Sequence, residues 1–411
     1  MSKIIKDQIS KLKPSATLAI NEESNKLIKK GKKIYKFGFG QSPFPVPNSV
    51  VSALKDSANK NTYLSMQGLE ELRLAIKKDL IKNNDNQFEA DDIIIGPGTK
   101  ELMFLTQLAF NGEIILPAPS WVSYQPQALI AKNRVHWIQT SSETNWFPTA
   151  KQIEDKVKTI KSKNLLLFIN SPNNPSGTIC ENIKEIARVA KKYKLIILSD
   201  EIYSKLTFQR KYVSISNFYP EGTIVSSGLS KWCGAGGWRL GYFLIPQKLN
   251  ELKDSMKVLA SETFSAVSAP IQFAAISAFK DDHSDYLSKS KNILKGIGEY
   301  VFNNLKSNNV IINKPMGGFY LMPQFLNKKF KSSTEMCTDI LNKKSLAILP
   351  GSDFGFSKDK MIARISYTDF DGKKFMSNIN LDTNIDEDLI KRFAPDIVEG
   401  TKRLKDWVEK A

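Results

Sequence analysis

Short runs of apolar residues alternate along most of the chain with stretches in which apolar positions recur every three or four residues. The runs predict buried strands, and the recurring pattern predicts amphipathic helices. Helices are expected at 100–110 and 182–193 among others, and the candidate strands cover 93–95, 113–116, 134–138, 165–169, 195–199, 223–227 and 240–245. This alternation indicates an α/β domain with a mainly parallel, seven-stranded sheet.

The pattern changes after about residue 290. A long helix is followed by candidate strands near 319–322, 347–349 and 364–367 and by a last helix over 387–410. A chain of 411 residues also exceeds the size at which one core stops growing. We therefore expect a large domain at 45–290 and a smaller α+β domain built from 1–44 plus 291–411.

The composition is that of an ordinary globular protein, with 41% hydrophobic and 25% charged residues. Apolar runs are too short to span a membrane, and residues 1–20 contain lysines, an aspartate and a proline, unlike a secretory signal. The three cysteines are far apart in sequence, which argues against a disulfide framework or a zinc site: Cys180, Cys233 and Cys337. We expect a cytoplasmic protein with no membrane partner and no metal.

The formal net charge of +17 raises the question of an acidic partner. The excess is mostly lysine spread over predicted helix faces, which is usual for a solvated surface. Basic stretches interleaved with aromatic residues are absent from the sequence, as are helix-turn-helix and zinc-finger spacings. The charge therefore favours acidic small-molecule substrates over nucleic acid.

Lys231 follows the apolar run 223–227, and a glycine-rich loop after it carries Arg239. A lysine of lowered pKa can form a Schiff base with an aldehyde and then move protons. A guanidinium is a preferred bidentate partner of phosphate. The pair therefore predicts a site for pyridoxal 5'-phosphate, an aldehyde with an anionic tail.

Other polar residues follow neighbouring strands, where ligands of open α/β sheets bind. Asp200 directly follows the run 195–199. It either caps a helix or a surface turn, or it is buried and holds the nitrogen of a pyridine ring protonated. Tyr203 either packs in the core or donates to the cofactor's phenolate oxygen. Asn174, in a turn rich in Asn, Pro and Gly, either shapes that turn or presents its amide to the phenolate oxygen and to a substrate carboxylate.

Two more loops fit the same edge of the sheet. Gly98 and Thr99 precede a predicted helix, whose free N–H groups and dipole would attract an anion, although such turns are common. Trp121 follows the run 113–116 and offers an indole that could stack on a ring, although a lone tryptophan is usually core.

The residues considered above belong to four motifs, which follow one another along the chain: Asn-Pro-Ser-Gly at 174–177, Asp-Glu-Ile-Tyr at 200–203, Ser-Lys at 230–231 and Gly-Trp-Arg-Leu-Gly at 237–241. In these motifs and in their order the chain resembles the class I/II pyridoxal-phosphate-dependent aminotransferases of fold type I. The resemblance extends over nearly the whole length, from 38–43 to 364–367. Residues 315–320 and 350–352 also look familial and are interpreted as scaffold.

The resemblance implies a role for each site residue. Lys231 would attach the cofactor and act as the catalytic base, Asp200 would pair with the pyridinium, and Tyr203 and Asn174 would contact the phenolate oxygen. Arg364 would clamp the substrate α-carboxylate with help from Gly40, Asn174 and Trp121; a surface ion pair is the alternative for Arg364. Trp121 would stack on the cofactor ring. The phosphate would be held by Gly98, Thr99, Ser230 and Arg239 of the same chain and by Tyr63, which would reach in from a second subunit.

The resemblance further implies a homodimer with shared active sites that moves an amino group between an L-amino acid and a 2-oxo acid by a ping-pong mechanism. Lys100 aligns with a position that reaches the distal carboxylate of acidic substrates, which favours acidic amino acids with 2-oxoglutarate. Lys100 could instead add charge near the phosphate, and Trp121 with Tyr124 could admit an aromatic substrate. Residues 233–235 and an extended segment at 369–386 depart from common members. A β-lyase or decarboxylase on the same fold, or a non-catalytic cofactor-binding regulator, stays open.

Overall fold

The computed structural model describes residues 4–10, 12, 16–81, 88–208, 211–326 and 329–410. Part of the N-terminal stretch, including Pro14, lies outside the described residues. The strands are β1 Tyr35–Lys36, β2 Ile93–Gly96, β3 Glu113–Ala118, β4 Val135–Gln139, β5 Leu165–Asn170, β6 Ile196–Asp200, β7 Thr223–Gly228, β8 Gly241–Leu244, β9 Val310–Ile311, β10 Tyr320–Leu321, β11 Gln324–Phe325, β12 Leu346–Ala347, β13 Leu349–Pro350 and β14 Ala363–Ser366.

The helices surround the strands and occur throughout the chain. They are α1 Asp7–Ser10, α2 Ala16–Lys29, α3 Asn48–Ser57, α4 Glu70–Ile81, α5 Thr99–Ala109, α6 Tyr124–Ile130, α7 Ala150–Lys158, α8 Ile183–Lys192, α9 Asn250–Ser261, α10 Ala269–Lys280, α11 Ser284–Leu305, α12 Ser333–Lys344, α13 Gly372–Ser377, α14 Glu387–Phe393 and α15 Pro395–Lys410. None of those in the described part of the chain combines the length and apolar composition needed to cross a bilayer.

The large sheet has the order β2-β8-β7-β6-β5-β3-β4. The pairs from β7 to β4 are parallel, and β8 is antiparallel to both of its neighbours. The predicted seven-stranded, mainly parallel sheet is confirmed. Its strands read as unbroken apolar runs because both faces are covered: along β5, Leu166 packs into one core and Leu167 into the other.

Local signals fix several helix boundaries. Thr149 and Gln152 form a reciprocal capping box at the start of α7, and the Ser332 and Asp386 side chains cap α12 and α14. The predicted single helix over 387–410 is wrong, because Ala394 leaves the helical conformation at φ −134° and ψ 50°. Pro395 then begins α15, where its missing N–H is tolerated.

The strands after residue 310 form smaller sheets. The predicted strand over 347–349 is in fact two: β12 pairs with β1, and β13 pairs with β14. Two residues of each strand are too few to leave a period in the sequence, so an apolar run of this length looks continuous. Helix α13 lies within the segment 369–386.

All three cysteines are buried and unbridged.

Candidate active site

The strand-end residues meet at one edge of the large sheet. The parallel strands β5, β6 and β7 end there, and the register places the start of β8 beside the ends of β7 and β2, with Gly241 opposite both Gly228 and Gly96. The loops at this edge carry Asn174, Asp200 with Tyr203, Ser230 with Lys231, Arg239, and Gly98 with Thr99 and Lys100. The sequence prediction of a shared edge therefore matches the observed topology.

Lys231 is half-buried, and its Nζ donates to the Gly40 carbonyl oxygen at 2.9 Å. The same nitrogen lies 5.7 Å from the Tyr203 ring centroid and 5.6 Å from that of Phe319. Burial and the positive charge of Arg364 lower the pKa of Lys231 to about 8, against the opposing effect of Asp200. An amine with this pKa is about half unprotonated near pH 8, and so is available there as a nucleophile and base far more than an ordinary lysine.

Asp200 is a buried carboxylate, 4% exposed, at the last residue of β6. Its Oδ2 accepts from the Tyr124 hydroxyl at 2.6 Å, and its Oδ1 accepts from the Ile202 N–H at 3.4 Å. Burial raises the pKa of Asp200 to about 6, and the Tyr124 hydrogen bond limits the rise. The bond from Ile202 is the kind that caps a turn, as the first alternative predicts, but this turn is buried rather than at the surface.

The Asn174 loop is organised by a residue that the motifs did not single out. The Asn170 side chain donates to the Asp200 carbonyl oxygen at 2.8 Å and accepts from the Asn174 N–H at 2.7 Å. It thereby ties the loop after β5 to the end of β6. Its only signal in the sequence is its place as the last residue of an apolar run.

Arg364 lies on β14 and is 2% exposed, so it is not a surface ion pair. Its Nη1 donates to Asn174 Oδ1 at 3.1 Å and its Nη2 to the Gly38 carbonyl oxygen at 2.6 Å. Among the described residues, its buried Nε has no hydrogen-bond partner. Burial lowers the pKa of Arg364, but an arginine stays charged. A buried guanidinium with an unused donor suits a carboxylate ligand.

Gly98 and Arg239 form a close contact at the first residue of α5. Gly98 has φ +87°, and a Cβ there would lie 2.2 Å from Arg239 Nη2, so only glycine allows this approach. The exposed Arg239 guanidinium donates to the carbonyl oxygens of Gly236 at 2.7 Å and Pro97 at 3.2 Å. The helix start and the guanidinium together make a cradle for an anion.

Trp121 is half-buried beside this cradle rather than in the deep core. Its ring stands edge-on to that of Tyr124, with centroids 5.4 Å apart and planes at 79°. Lys100 Nζ lies 5.1 Å from the centre of the Trp121 ring. Burial and the nearby charge of Arg239 lower the pKa of Lys100.

Tyr63 is the one predicted site residue that the chain does not bring to its own site. Its side chain is 91% exposed and so makes almost no contact within the chain. Met66, three residues on, is also exposed.

Tyr320 occupies the centre of the site, although residues 315–320 are interpreted as scaffold from their sequence. Its hydroxyl lies 3.0 Å from that of Tyr203, and its ring lies 4.8 Å from Arg364 Cζ. Burial raises the pKa of both tyrosines, so both keep their protons. Strand β10 has only two residues, too few for a pattern to mark this position.

These groups fit pyridoxal 5'-phosphate. The loop after β7 supplies an amine of lowered pKa, β6 supplies a buried carboxylate, and the close approach of Gly98 to Arg239 leaves an anion cradle that a Cβ would fill. The unpartnered Nε of Arg364 adds a place for the carboxylate of a second ligand.

Comparisons with known proteins show the family of the chain. The family model for aminotransferase class I and II matches residues 32–374. The chain is 30% identical over 383 residues to an aspartate aminotransferase of Bacillus sp. (strain YM-2), covering 89% of this chain and 95% of that protein. It is 30% identical over 372 residues to a probable aspartate/prephenate aminotransferase of Aquifex aeolicus (strain VF5), covering 86% and 92%. The crystal structure of an aspartate aminotransferase from Rhizobium meliloti shares the fold at a TM-score of 0.86, with 23% identity and 99% of each chain covered.

Proposed function

The chain belongs to the class I and II aminotransferases, which use pyridoxal 5'-phosphate, and we propose that it moves the amino group of an acidic L-amino acid to a 2-oxo acid such as 2-oxoglutarate. The observation that carries the proposal is Arg364, a buried guanidinium whose charge lowers the pKa of Lys231 and whose Nε has no partner within the described residues. That arrangement holds an α-carboxylate within reach of a base.

We assign the central chemistry to Lys231, Asp200, Tyr203 and Asn174. When bound, the cofactor supplies an electron-withdrawing ring that stabilises negative charge on the substrate's α-carbon. Lys231 Nζ would hold the cofactor through its aldehyde and, once free of it, would serve as the base that takes the substrate's α-proton. Asp200 as a carboxylate would keep the ring nitrogen protonated, while Tyr203 and Asn174 would donate to the phenolate oxygen.

We assign the phosphate to the cradle between α5 and the loop before β8. Thr99 offers an N–H group at the helix start, Ser230 a hydroxyl, and Arg239 a guanidinium held by two carbonyl oxygens. The Gly98 N–H already donates to the Gly96 carbonyl oxygen at 2.7 Å, so Gly98 contributes by allowing the close approach of Arg239. Trp121 would stack on the ring from the side of β3. Gly40 would assist Arg364 at the substrate carboxylate through its backbone N–H, since its carbonyl oxygen can only accept and already accepts from Lys231.

The preference for an acidic substrate rests on Lys100 and on the relatives. Lys100 Nζ sits over Trp121, at the mouth of the site, where it could pair with a distal carboxylate. The curated relatives are named for aspartate or for aspartate and prephenate. An aromatic substrate is the second candidate, because Trp121 and Tyr124 form an aromatic wall.

The first experiment is the absorbance spectrum of the purified holoenzyme before and after single amino acids are added without a 2-oxo acid. Transamination converts the bound cofactor to its amine form, and the acid that does so at the lowest concentration identifies the donor class. If the band persists while ammonia or carbon dioxide is released, the protein is a lyase or decarboxylase. If no added amino acid changes the spectrum and none is consumed, the regulator hypothesis replaces catalysis.

Lys100→Ala tests the substrate class. Loss of one partly exposed charge pair costs about 0.5–1 kcal/mol, so kcat/KM for aspartate and glutamate should fall roughly 2- to 5-fold. Phenylalanine and tyrosine should change less than about 2-fold. Lys257→Ala, which removes a surface lysine paired with Asp254, is the matched control. Equal losses for both substrate classes would assign Lys100 to the phosphate instead.

We also propose a homodimer in which Tyr63 reaches the partner's phosphate cradle, supported by the exposure of Tyr63 and Met66. Lys231→Ala and Tyr63→Ala subunits should each be nearly inactive alone. Mixed and allowed to exchange, they should regain about a quarter of wild-type activity, because each hybrid dimer contains one intact site. Lys231→Ala mixed with Arg239→Ala is the control and should regain none. No recovery in the first mixture, with exchange demonstrated, would refute shared sites.

Finally, we propose that 45–290 and 1–44 plus 291–411 are the two structural units. The pairing of β1 with β12 supports the assignment of the N-terminal segment to the later part of the chain. Native-state hydrogen exchange should then resolve two groups of core amides with different opening free energies, divided at these boundaries. A single group spanning both ranges would contradict the division.

A further inference from the structure

We propose that Tyr320 is a positioning residue that orients the Tyr203 hydroxyl toward the cofactor while its ring supports the Arg364 guanidinium. The inference rests on the proposed function, because it assumes that Tyr203 donates to the phenolate oxygen and that Arg364 holds the α-carboxylate. It adds a component that joins these two contacts.

The hydroxyl of Tyr320 has two neighbours. One is the Tyr203 hydroxyl at 3.0 Å, and the other is the Gly40 carbonyl oxygen at 3.5 Å, which also accepts from Lys231. A hydroxyl has one proton to donate and two lone pairs that accept. If Tyr203 donates its proton to the cofactor, its oxygen can only accept a further hydrogen bond. The Tyr320 hydroxyl lies where it can donate that bond.

The ring of Tyr320 contacts the substrate side of the site. Arg364 Cζ lies 4.8 Å from the ring centroid, and the guanidinium is buried, so the contact is the desolvated kind of cation–π interaction. The strands pair Tyr320 with Ser366, two residues beyond Arg364. One side chain therefore contacts both the Tyr203 hydroxyl and the carboxylate clamp.

The backbone around Tyr320 is fixed to the loops that carry the other site residues. Met316 and Gly317 donate to the Gly177 carbonyl oxygen at 2.8 and 3.1 Å, in the loop that follows Asn174. Gly318 donates to the Leu206 carbonyl oxygen at 3.1 Å, in the turn that follows Tyr203. The segment cannot shift without moving both loops.

Glycine at position 40 makes room for the Tyr320 hydroxyl. A Cβ on Gly40 would lie 1.9 Å from Tyr320 Oη, which is far too close for two heavy atoms that are not bonded to each other. The tyrosine and the glycine therefore depend on each other. A phenylalanine at 320 would relax this contact, whereas the observed tyrosine keeps its oxygen in the site.

A consequence follows for the proton affinity of the bound cofactor. A donor to the phenolate oxygen stabilises its anionic form, and chained hydroxyls polarise one another. Removing the Tyr320 hydroxyl weakens the Tyr203 donor and should raise the spectral pKa of the bound cofactor. A neutral hydrogen bond contributes about 0.5–1.5 kcal/mol in full, so we expect a rise of roughly 0.3–1 unit.

The experiment compares the holoenzymes of wild type, Tyr320→Phe, Tyr203→Phe and the double variant by spectrophotometric pH titration. Tyr320→Phe should raise the spectral pKa by roughly 0.3–1 unit and lower kcat, while KM stays within about 2-fold because the ring under Arg364 remains. Tyr203→Phe should raise the spectral pKa further. The double variant should match Tyr203→Phe, because Tyr320 acts through Tyr203.

Tyr367→Phe is the matched control. It removes a buried hydroxyl close by that has no hydrogen-bond partner among the described residues, and it should leave the titration unchanged. An unchanged titration in Tyr320→Phe, or shifts that add fully in the double variant, would overturn the positioning role. Failure of the proposed function is distinct, because the wild-type holoenzyme would then fail to convert its cofactor with any amino acid.

Discussion

The Tyr124–Asp200 hydrogen bond offers a sharp test of how burial sets the ionisation of the site. Tyr124→Phe removes one hydroxyl that donates to Asp200 Oδ2 at 2.6 Å and leaves the ring in place. The carboxylate is fully enclosed, so water cannot replace the lost donor. Removal should therefore raise the pKa of Asp200 above its present value of about 6.

The size of the rise follows from the strength of the bond. Hydrogen bonds to charged groups contribute about 1.5–3 kcal/mol, which corresponds to a rise of roughly 1–2 pKa units. Since the proposed role of Asp200 requires the carboxylate, the acid limb of kcat/KM should move to higher pH, by at most this amount because the protonated ring nitrogen that Asp200 would face also favours the carboxylate. Activity on the acid side of the limb should fall by up to about 10- to 100-fold, and at alkaline pH it should recover.

The assay is the pH profile of kcat/KM for wild type and Tyr124→Phe over the range in which both proteins stay folded. Tyr193→Phe is the control, because Tyr193 also donates to a carboxylate, Glu154 at 2.7 Å, but it directly follows α8, before β6, away from the site. Its profile should match the wild type. An acid limb that stays in place, or that moves to lower pH, would refute the assignment of the limb to Asp200.

Three further predictions concern binding and stability. Arg364→Ala should lower kcat/KM by about 10²- to 10⁴-fold, as expected for two charge-assisted hydrogen bonds, and Arg364→Lys by less; steady-state kinetics that rank the two in the opposite order would contradict the clamp. Burial raises the pKa of Glu201 from 4.5 to about 7, so the folded state binds this proton more tightly than the unfolded state does. The stability of the cofactor-free protein should therefore fall as pH rises from about 4.5 to 7. Glu201→Gln should remove about 3 kcal/mol of that fall in urea unfolding, and parallel curves for the two proteins would refute it. Gly98→Ala should weaken cofactor binding at least about 10-fold in titrations of the cofactor-free protein, because the new Cβ would meet Arg239. Gly237→Ala is the control and should leave binding unchanged, because a Cβ at position 237 meets nothing within 4 Å.

The sequence predicted the large sheet well because its strands are buried on both faces. Such strands are continuous apolar runs, and the predicted 165–169 and 223–227 each fall one residue short of the observed ends. The site residues at those ends followed from the same rule, since ligands bind where parallel strands finish. Lys231 and Asp200 were therefore accessible from order and spacing.

The contacts between distant segments were not accessible in this way. Tyr124 and Asp200 are separated by 76 positions, and Arg364 and Asn174 by 190, so only the folded chain shows that they are hydrogen bonded. Tyr320 stayed hidden because a two-residue strand carries no periodicity. The break between α14 and α15, at Ala394 and Pro395, was also missed, because apolar positions recur with a helical period on both sides of it.

The order of strands in the large sheet has a consequence during synthesis of the chain. Strand β2 can pair only with β8, which the ribosome makes roughly 150 residues later. At bacterial or eukaryotic elongation rates this leaves an apolar segment, Ile93 to Ile95, without its partner for about 7–30 s. Strand β1 waits longer still, for β12 near the other end of the sequence. The nascent protein therefore exposes this apolar strand until the partner that covers its edge has been made.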